Sequence, residues 1–310
     1  MNQYLSLITV RSVVLCILLC LLLVLNSNAQ QEWSHSQYQF NLYDVNAAYA
    51  GSHQTMSMAV RHRSQWMGLT GAPTSDQFSM HAPIAGEQMA AGLRVVSDRI
   101  GARMQLTAKA TGVYKVRFQH SKLAFGITAG AVRQCVDIGM LNAQDSDDAL
   151  LSGLSQARTV PTLGASVLFT SSRMFFGLDA SHLNRAGWNY AQDPGSRLYR
   201  HYAMVAGVIL PVGQEHLLEL SNLTKYAEGG QWQSEVNAQF LYRNRCWIGG
   251  GYRFKSAIQA LAAWMINDHL RVGLSYDYAT GRQFARPSSS VEGFLGYTLN
   301  KRSAHSIRYF

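Results

Sequence analysis

The chain has 310 residues, of which 15% are charged, well below the roughly 25% usual in soluble domains. Its net charge of +9 comes from Lys and Arg scattered singly along the sequence, which excludes the clustered basic face of a nucleic-acid-binding protein. Four cysteines in this length exclude a Cys-dense exported scaffold held together by disulfides.

Residues 1–29 read as an export signal. Arg11 supplies the positive charge, 12–25 form an uncharged apolar run, and Ser27-Asn28-Ala29 offers the small residues that precede a cleavage site. The run is too short to span a bilayer comfortably. Leu15 before Cys16 and Leu19 before Cys20 are wrong for lipid attachment, so both cysteines leave with the signal. Cys135 and Cys246 remain, far apart in sequence, and are expected to be free. Residues 30–52 read as a short irregular segment, periplasmic or plugging, ahead of a second unit at 53–310. Within them the stretch 41–84 is crowded with aromatics, Asn, Gly and Pro but offers no evident nucleophile, metal cluster or phosphate loop.

The rest of the chain has period two. Leu123, Phe125, Ile127, Ala129 and Ala131 alternate with Lys122, Ala124, Gly126, Thr128 and Gly130. The same pattern runs through Tyr202 to Leu210, Leu270 to Tyr278 and Val291 to Leu299. Each run is about ten residues, the length of a tilted strand crossing a bilayer. Parity puts Leu270, Leu274 and Tyr276 toward lipid, and Arg271 and Asp277 toward a lumen. Short turns such as "TSSR", "PVGQEH" and "YRNRC" alternate roughly with longer polar stretches at 137–158, 183–197 and 280–290. Outer-membrane barrels show this asymmetry, and Phe310 adds a terminal aromatic. The fold class is therefore all-β: a transmembrane antiparallel β-barrel of about 14 strands, integral to a bacterial outer membrane and touching its lipid. Even closure satisfies every backbone donor and acceptor inside hydrocarbon.

No residues are assigned a catalytic, cofactor-binding or metal-binding role. The acidic cluster Asp145-Ser146-Asp147-Asp148 lacks the glycine turn and distal acid of a calcium loop. "GGGYR" at 249–253 opens no helix and has no lysine, so it suits wall curvature rather than phosphate. No G-x-S-x-G elbow occurs, and the adjacent Ser181 and His182 of one strand face opposite sides.

The ordered set "QYQFN" (37–41), "NAAYAG" (46–51), "RSQW" (63–66), "GAP" (71–73), "AAGLRVVSDRIG" (90–101), "ASHLN" (180–184), "WIGGGYR" (247–253) and "LSYDYATG" (274–281) resembles the PorP/SprF family. These are outer-membrane barrels of type IX secretion and gliding motility in Bacteroidetes. One departure is Ala47, where the family usually has proline. The resemblance implies a barrel that does no chemistry and is no enzyme. It would receive an adhesin-like cargo by its C-terminal sorting domain, anchor it at the cell surface and engage a periplasmic, peptidoglycan-linked secretion component. The alternative is a porin-like channel for small solutes. The motif residues Phe40, Asn41, Asn46, Tyr49, Gly51, Arg63, Gln65, Trp66, Gly71 and Pro73 would brace the wall or touch a partner. Trp188 and Tyr190 are expected at external contacts, and Phe40, Tyr43 and Tyr49 at periplasmic ones.

Overall fold

The computed structural model describes residues 35–53, 55–86, 88–137, 157–188, 196–230, 232–280 and 289–299. The signal segment, the acidic cluster at 145–148, Tyr190 and Phe310 lie outside these residues.

Among the described residues fourteen strands run in chain order: β1 Ser57–Ser64, β2 Thr74–Ala85, β3 Met89–Ile100, β4 Arg103–Arg117, β5 Ser121–Val136, β6 Arg158–Ser171, β7 Met174–Ser181, β8 His201–Val212, β9 His216–Ala227, β10 Trp232–Tyr242, β11 Cys246–Arg253, β12 Ala257–Met265, β13 Leu270–Ala279 and β14 Ser289–Thr298. Every neighbour is antiparallel, and β1 pairs with β14 to close the barrel. No sheet edge is left, which is what a bilayer requires of strands.

The connections after even-numbered strands are short (86–88, 118–120, 172–173, 213–215, 243–245 and 266–269). The spans at 65–73, 137–157, 182–200 and 280–288 all follow odd-numbered strands. The barrel thus has a long-loop mouth and a short-turn mouth. β4, β5 and β6 are the longest strands, at 15, 16 and 14 residues, and their excess length raises that part of the wall.

The alternation read in the sequence sorts the two faces as expected. Phe125, Ile127, Leu274, Tyr276, Leu295 and Tyr297 face outward, while Arg271, Asp277, Glu292 and Phe294 are buried inward. Aromatic rings crowd the outer surface near both rims. Tyr202, Tyr226 and Trp232 stack in series toward the long loops, with centroids 6.2 and 4.6 Å apart. His216 on Tyr242 and His269 beside Tyr297 do the same toward the short turns. Such girdles mark the headgroup levels. Cys135 and Cys246 are free thiols.

Leu274 is 60% exposed and sits mid-strand on β13. Placing a guanidinium there puts a charge near the bilayer midplane at a cost of about 2–4 kcal/mol. Leu274→Arg should lower the urea midpoint of unfolding from lipid vesicles by a corresponding amount, whereas Leu274→Ile should leave it nearly unchanged. Equal midpoints for the two variants would show that this face does not meet lipid.

Candidate functional site

The barrel's inner face is polar, and it meets the chain's own amino-terminal segment. Residues 35–50 wind through the lumen as three 3-10 turns, Tyr38–Phe40, Leu42–Asp44 and Ala47–Tyr49. Almost every residue of the segment is buried. Asn46 starts the third turn by accepting the Ala48 N–H on its side chain, the usual work of an Asn ahead of a helical turn.

An ionic cradle holds the first part of this plug near the long-loop mouth. The Ser36 and Gln37 N–H groups donate to the two carboxylate oxygens of Glu292, at 3.0 and 3.2 Å. Ser36 Oγ donates to Asp277 at 2.6 Å. Glu292 also pairs with Arg61 and Arg63, at 3.2 Å each. Asp277 pairs with Arg63 at 2.7 Å and with Arg253 at 3.2 Å, and Arg253 continues to Glu235 at 2.8 Å. Arg61 reaches back to Asp44 of the plug at 2.8 Å. Burial and the neighbouring Arg61 hold His35 below its ordinary pKa, so its 3.7 Å approach to Glu292 is that of a neutral imidazole. Each cation is matched by a carboxylate, as buried charges must be.

Below this cradle Arg271 donates to the Phe40 carbonyl at 2.6 Å. Its guanidinium lies over the rings of Phe40, Trp247 and Phe294 at 5.3 to 5.5 Å, a desolvated cation–π arrangement. Tyr43 donates to Thr111, and Arg94 donates to the Tyr43 and Asp44 carbonyls. Burial pushes the Tyr38 and Tyr43 hydroxyls above the ordinary phenol range, so both serve as neutral hydrogen-bonding groups. Asn46 donates to the Val167 and Leu178 carbonyls, and the Ala47 N–H donates to Asp179 at 3.1 Å. A proline at 47 could not make that last bond.

The segment finishes at the short-turn mouth. Gly51, at φ +66°, donates to His81 and accepts from Lys115. Elsewhere the plug presses directly on the wall. A Cβ at Gly92 would lie 2.5 Å from the Tyr43 hydroxyl, and one at Gly273 would lie 2.4 Å from Gln37 Oε1.

The residues singled out in the sequence therefore divide three ways. Phe40, Asn41, Asn46, Tyr49 and Gly51 belong to the plug, with Asn41 donating to Asp44 and Ser79. Arg63 belongs to the cradle. Gln65, Trp66, Gly71 and Pro73 shape the β1–β2 turn: the Gln65 N–H donates to the Pro73 carbonyl, the Gly101 N–H to that of Gly71, and the Trp66 N–H to Ser290.

Two expectations are corrected. Phe40, Tyr43 and Tyr49 do not face a periplasmic partner, because the 3-10 turns carry all three rings into the lumen. Trp188 is 5% exposed and packs on Val132, Val160 and Leu198, so its ring lines the inner wall instead of offering external contact. Sequence reasoning missed Asp44, Arg61, Glu235, Arg253 and Glu292. Parity alone could have marked Glu292 and Arg61 as inward charges, but not as partners.

The family model described as "Type IX secretion system membrane protein PorP/SprF" matches residues 27–297. Among solved structures, the chain is similar to the outer membrane protein Omp33 of Acinetobacter baumannii, at 7% identity and TM-score 0.46 over 79% of this chain and 99% of that one. It is also similar to the toluene transporter TbuX of Ralstonia pickettii, at 10% identity and TM-score 0.49 over 85% and 93%. A third likeness is to the KdgM porin, at 8% identity and TM-score 0.39 over 79% and 99%. No curated protein matches the sequence.

Removing one member of a buried charge network leaves the others unpaired, at a cost of about 3–5 kcal/mol. Glu292→Gln keeps the side chain's shape and strips the charge facing Arg61 and Arg63. Gly92→Val instead displaces Tyr43. Both variants should open the plug to protease cleavage within 38–49 in detergent while the barrel fragment stays protected, and wild type should resist. Uniform resistance in all three proteins would show that neither contact holds the segment.

Proposed function

We propose, from the premise that the chain belongs to the PorP/SprF family of type IX secretion system membrane proteins, that this outer-membrane barrel is a cargo anchor rather than a pore. It receives an adhesin-like secreted protein at its long-loop mouth through that protein's C-terminal sorting domain. At its short-turn mouth it engages a periplasmic, peptidoglycan-linked secretion component.

One observation carries the choice between anchor and channel: the lumen holds a segment of the chain itself, bonded from wall to wall. β1–β4, β6, β7 and β9–β14 each make at least one hydrogen bond to residues 35–51. β5 and β8 give Ala124 and Val205 to the apolar cluster that the plug completes. An open diffusion pore conducts through a water-filled lumen, which such a bridge obstructs. An anchor instead profits from a filled barrel, because a braced wall offers its partners fixed mouths.

In planar bilayers the intact protein should give no steady conductance, and deletion of 38–49 should give an open channel. Affinity purification of the tagged chain from its native membrane in mild detergent should recover a large surface protein together with a periplasmic component. Steady conductance from the intact chain, with no such partners recovered, would replace the anchor with a porin.

A further inference from the structure

The outward half of β1 carries an arrangement that the plug does not use. His62 and Ser64 are two residues apart and so project from the same, outer face. Asp76 of β2 stands directly across from His62 in the β1–β2 register. His62 Nδ1 lies 2.7 Å from Asp76 Oδ1, and His62 Nε2 lies 3.1 Å from Ser64 Oγ. The carboxylate holds the imidazole proton on Nδ1, which leaves the Nε2 lone pair facing the serine hydroxyl. A nucleophile, a base within hydrogen-bond reach and a group orienting the base are the three parts of an acyl-transfer triad.

We propose that Ser64, His62 and Asp76 form a serine-hydrolase triad that cleaves carboxylic esters of lipids at the membrane–water boundary, an activity separate from cargo anchoring. The side chains of His62 and Asp76 are 58% and 67% exposed, so the group opens outward from the wall. It lies at the end of β1 nearest the long loops, where the outer surface passes from apolar to polar. Toward the bilayer centre the adjoining outward residues are Val60, Phe78 and Leu295, a surface suited to an acyl chain. The cross-strand neighbour of His62 on β14 is Gly293, where an added Cβ would meet nothing within 4 Å. The wall is therefore bare beside the base, and a bulky ester can approach. An ester carbonyl placed against Ser64 thus has its tail over hydrocarbon and its headgroup in water.

The chemistry closes without a cofactor. Ser64 Oγ attacks the carbonyl carbon while its proton passes to His62 Nε2. Collapse of the tetrahedral species breaks the ester C–O bond, and the imidazolium returns that proton to the departing alcohol. Water, deprotonated by His62, then attacks the acyl-serine, releasing the fatty acid and restoring the hydroxyl. Asp76 is a positioning residue throughout, fixing the tautomer and stabilising the imidazolium.

The test uses the full chain folded in mixed micelles of detergent and diacyl phospholipid, with heat-modifiable gel migration to show that each variant folds. A fluorophosphonate probe should modify wild type on the peptide carrying Ser64, and fatty acid should be released from the phospholipid. Ser64→Ala should lose both signals to background. His62→Gln should lower the release rate by about 100-fold or more, the usual worth of a general base. Asp76→Asn should change the shape of the pH–rate profile as well as the rate, which a purely structural loss would not do. Because all three side chains face outward, the plug's protease resistance should be the same in every variant. Failure of folded wild type to take the probe, in micelles and in outer-membrane lipid vesicles alike, would overturn the assignment. So would labelling at a different residue, or release undiminished in Ser64→Ala.

Discussion

The structure depends on matching buried charge across the lumen. Arg61, Arg63 and Arg253 on the wall face Glu235, Asp277 and Glu292 on the wall and Asp44 on the plug. Each of these groups is buried, and an unpaired charge there would carry a large desolvation cost. Without the plug, Arg61 would lose Asp44, Glu292 would lose two backbone N–H donors, and Asp277 would lose the Ser36 hydroxyl. The wall and the segment are therefore each incomplete alone. The polar inner face that lets a barrel hold water instead specifies one peptide in one register.

The same pairing ties the plug to closure of the sheet. In the β1–β14 seam Arg63 stands opposite Glu292, and Arg61 stands opposite Phe294. The first strand and the last are more than 200 residues apart in sequence, and their union is among the costliest loop closures the chain makes. The cradle assembles only when that seam forms, so the free energy of capturing the plug is gained in the step that most needs it. The segment also runs the length of the lumen, from Ser36 beside the long-loop ends of β11 and β13 to Gly51 beside Lys115 at the short-turn end of β4. The chain then enters β1 from the short-turn mouth. The two mouths are thereby joined by a continuous, hydrogen-bonded peptide.

Most of the fold was legible because period two is a local signal. Leu274, Phe125 and Tyr297 can be assigned to lipid from their immediate neighbours, and strand length follows from bilayer thickness. The candidate site was legible only in part, because parity tells which side a residue faces and never what it meets there. Asp277 could be read as lumenal, but its partner Ser36 lies 241 residues away. The aromatic residues misled for a related reason. Phe40, Tyr43, Tyr49 and Trp188 have the composition of a binding hot spot, and burying such rings is an equally good use of them. Only the turn geometry of residues 38–49 and the packing around Val132 decide between the two. The outward group on β1 and β2 is hidden from the sequence by the same limit. A nucleophile elbow is contiguous in sequence, whereas Ser64, His62 and Asp76 meet through a strand repeat and a hairpin register.

β1 shows how far one strand can be divided. Its inward residues Arg61 and Arg63 are paired where water is excluded, and their work is to hold. Its outward residues His62 and Ser64 lie where an amphiphile's headgroup meets water, and there hydrogen-bonded polar groups stay accessible to a substrate. The pleat makes these two sets geometrically independent, since side chains of opposite parity cannot touch. They are not independent in register. A one-residue slip of β1 would turn the arginines to lipid and His62 and Ser64 into the lumen, away from Asp76 on β2. The charge network that fixes the plug therefore also fixes the outer face, and this chain can carry an outward site on β1 only because its inward side is pinned so strongly.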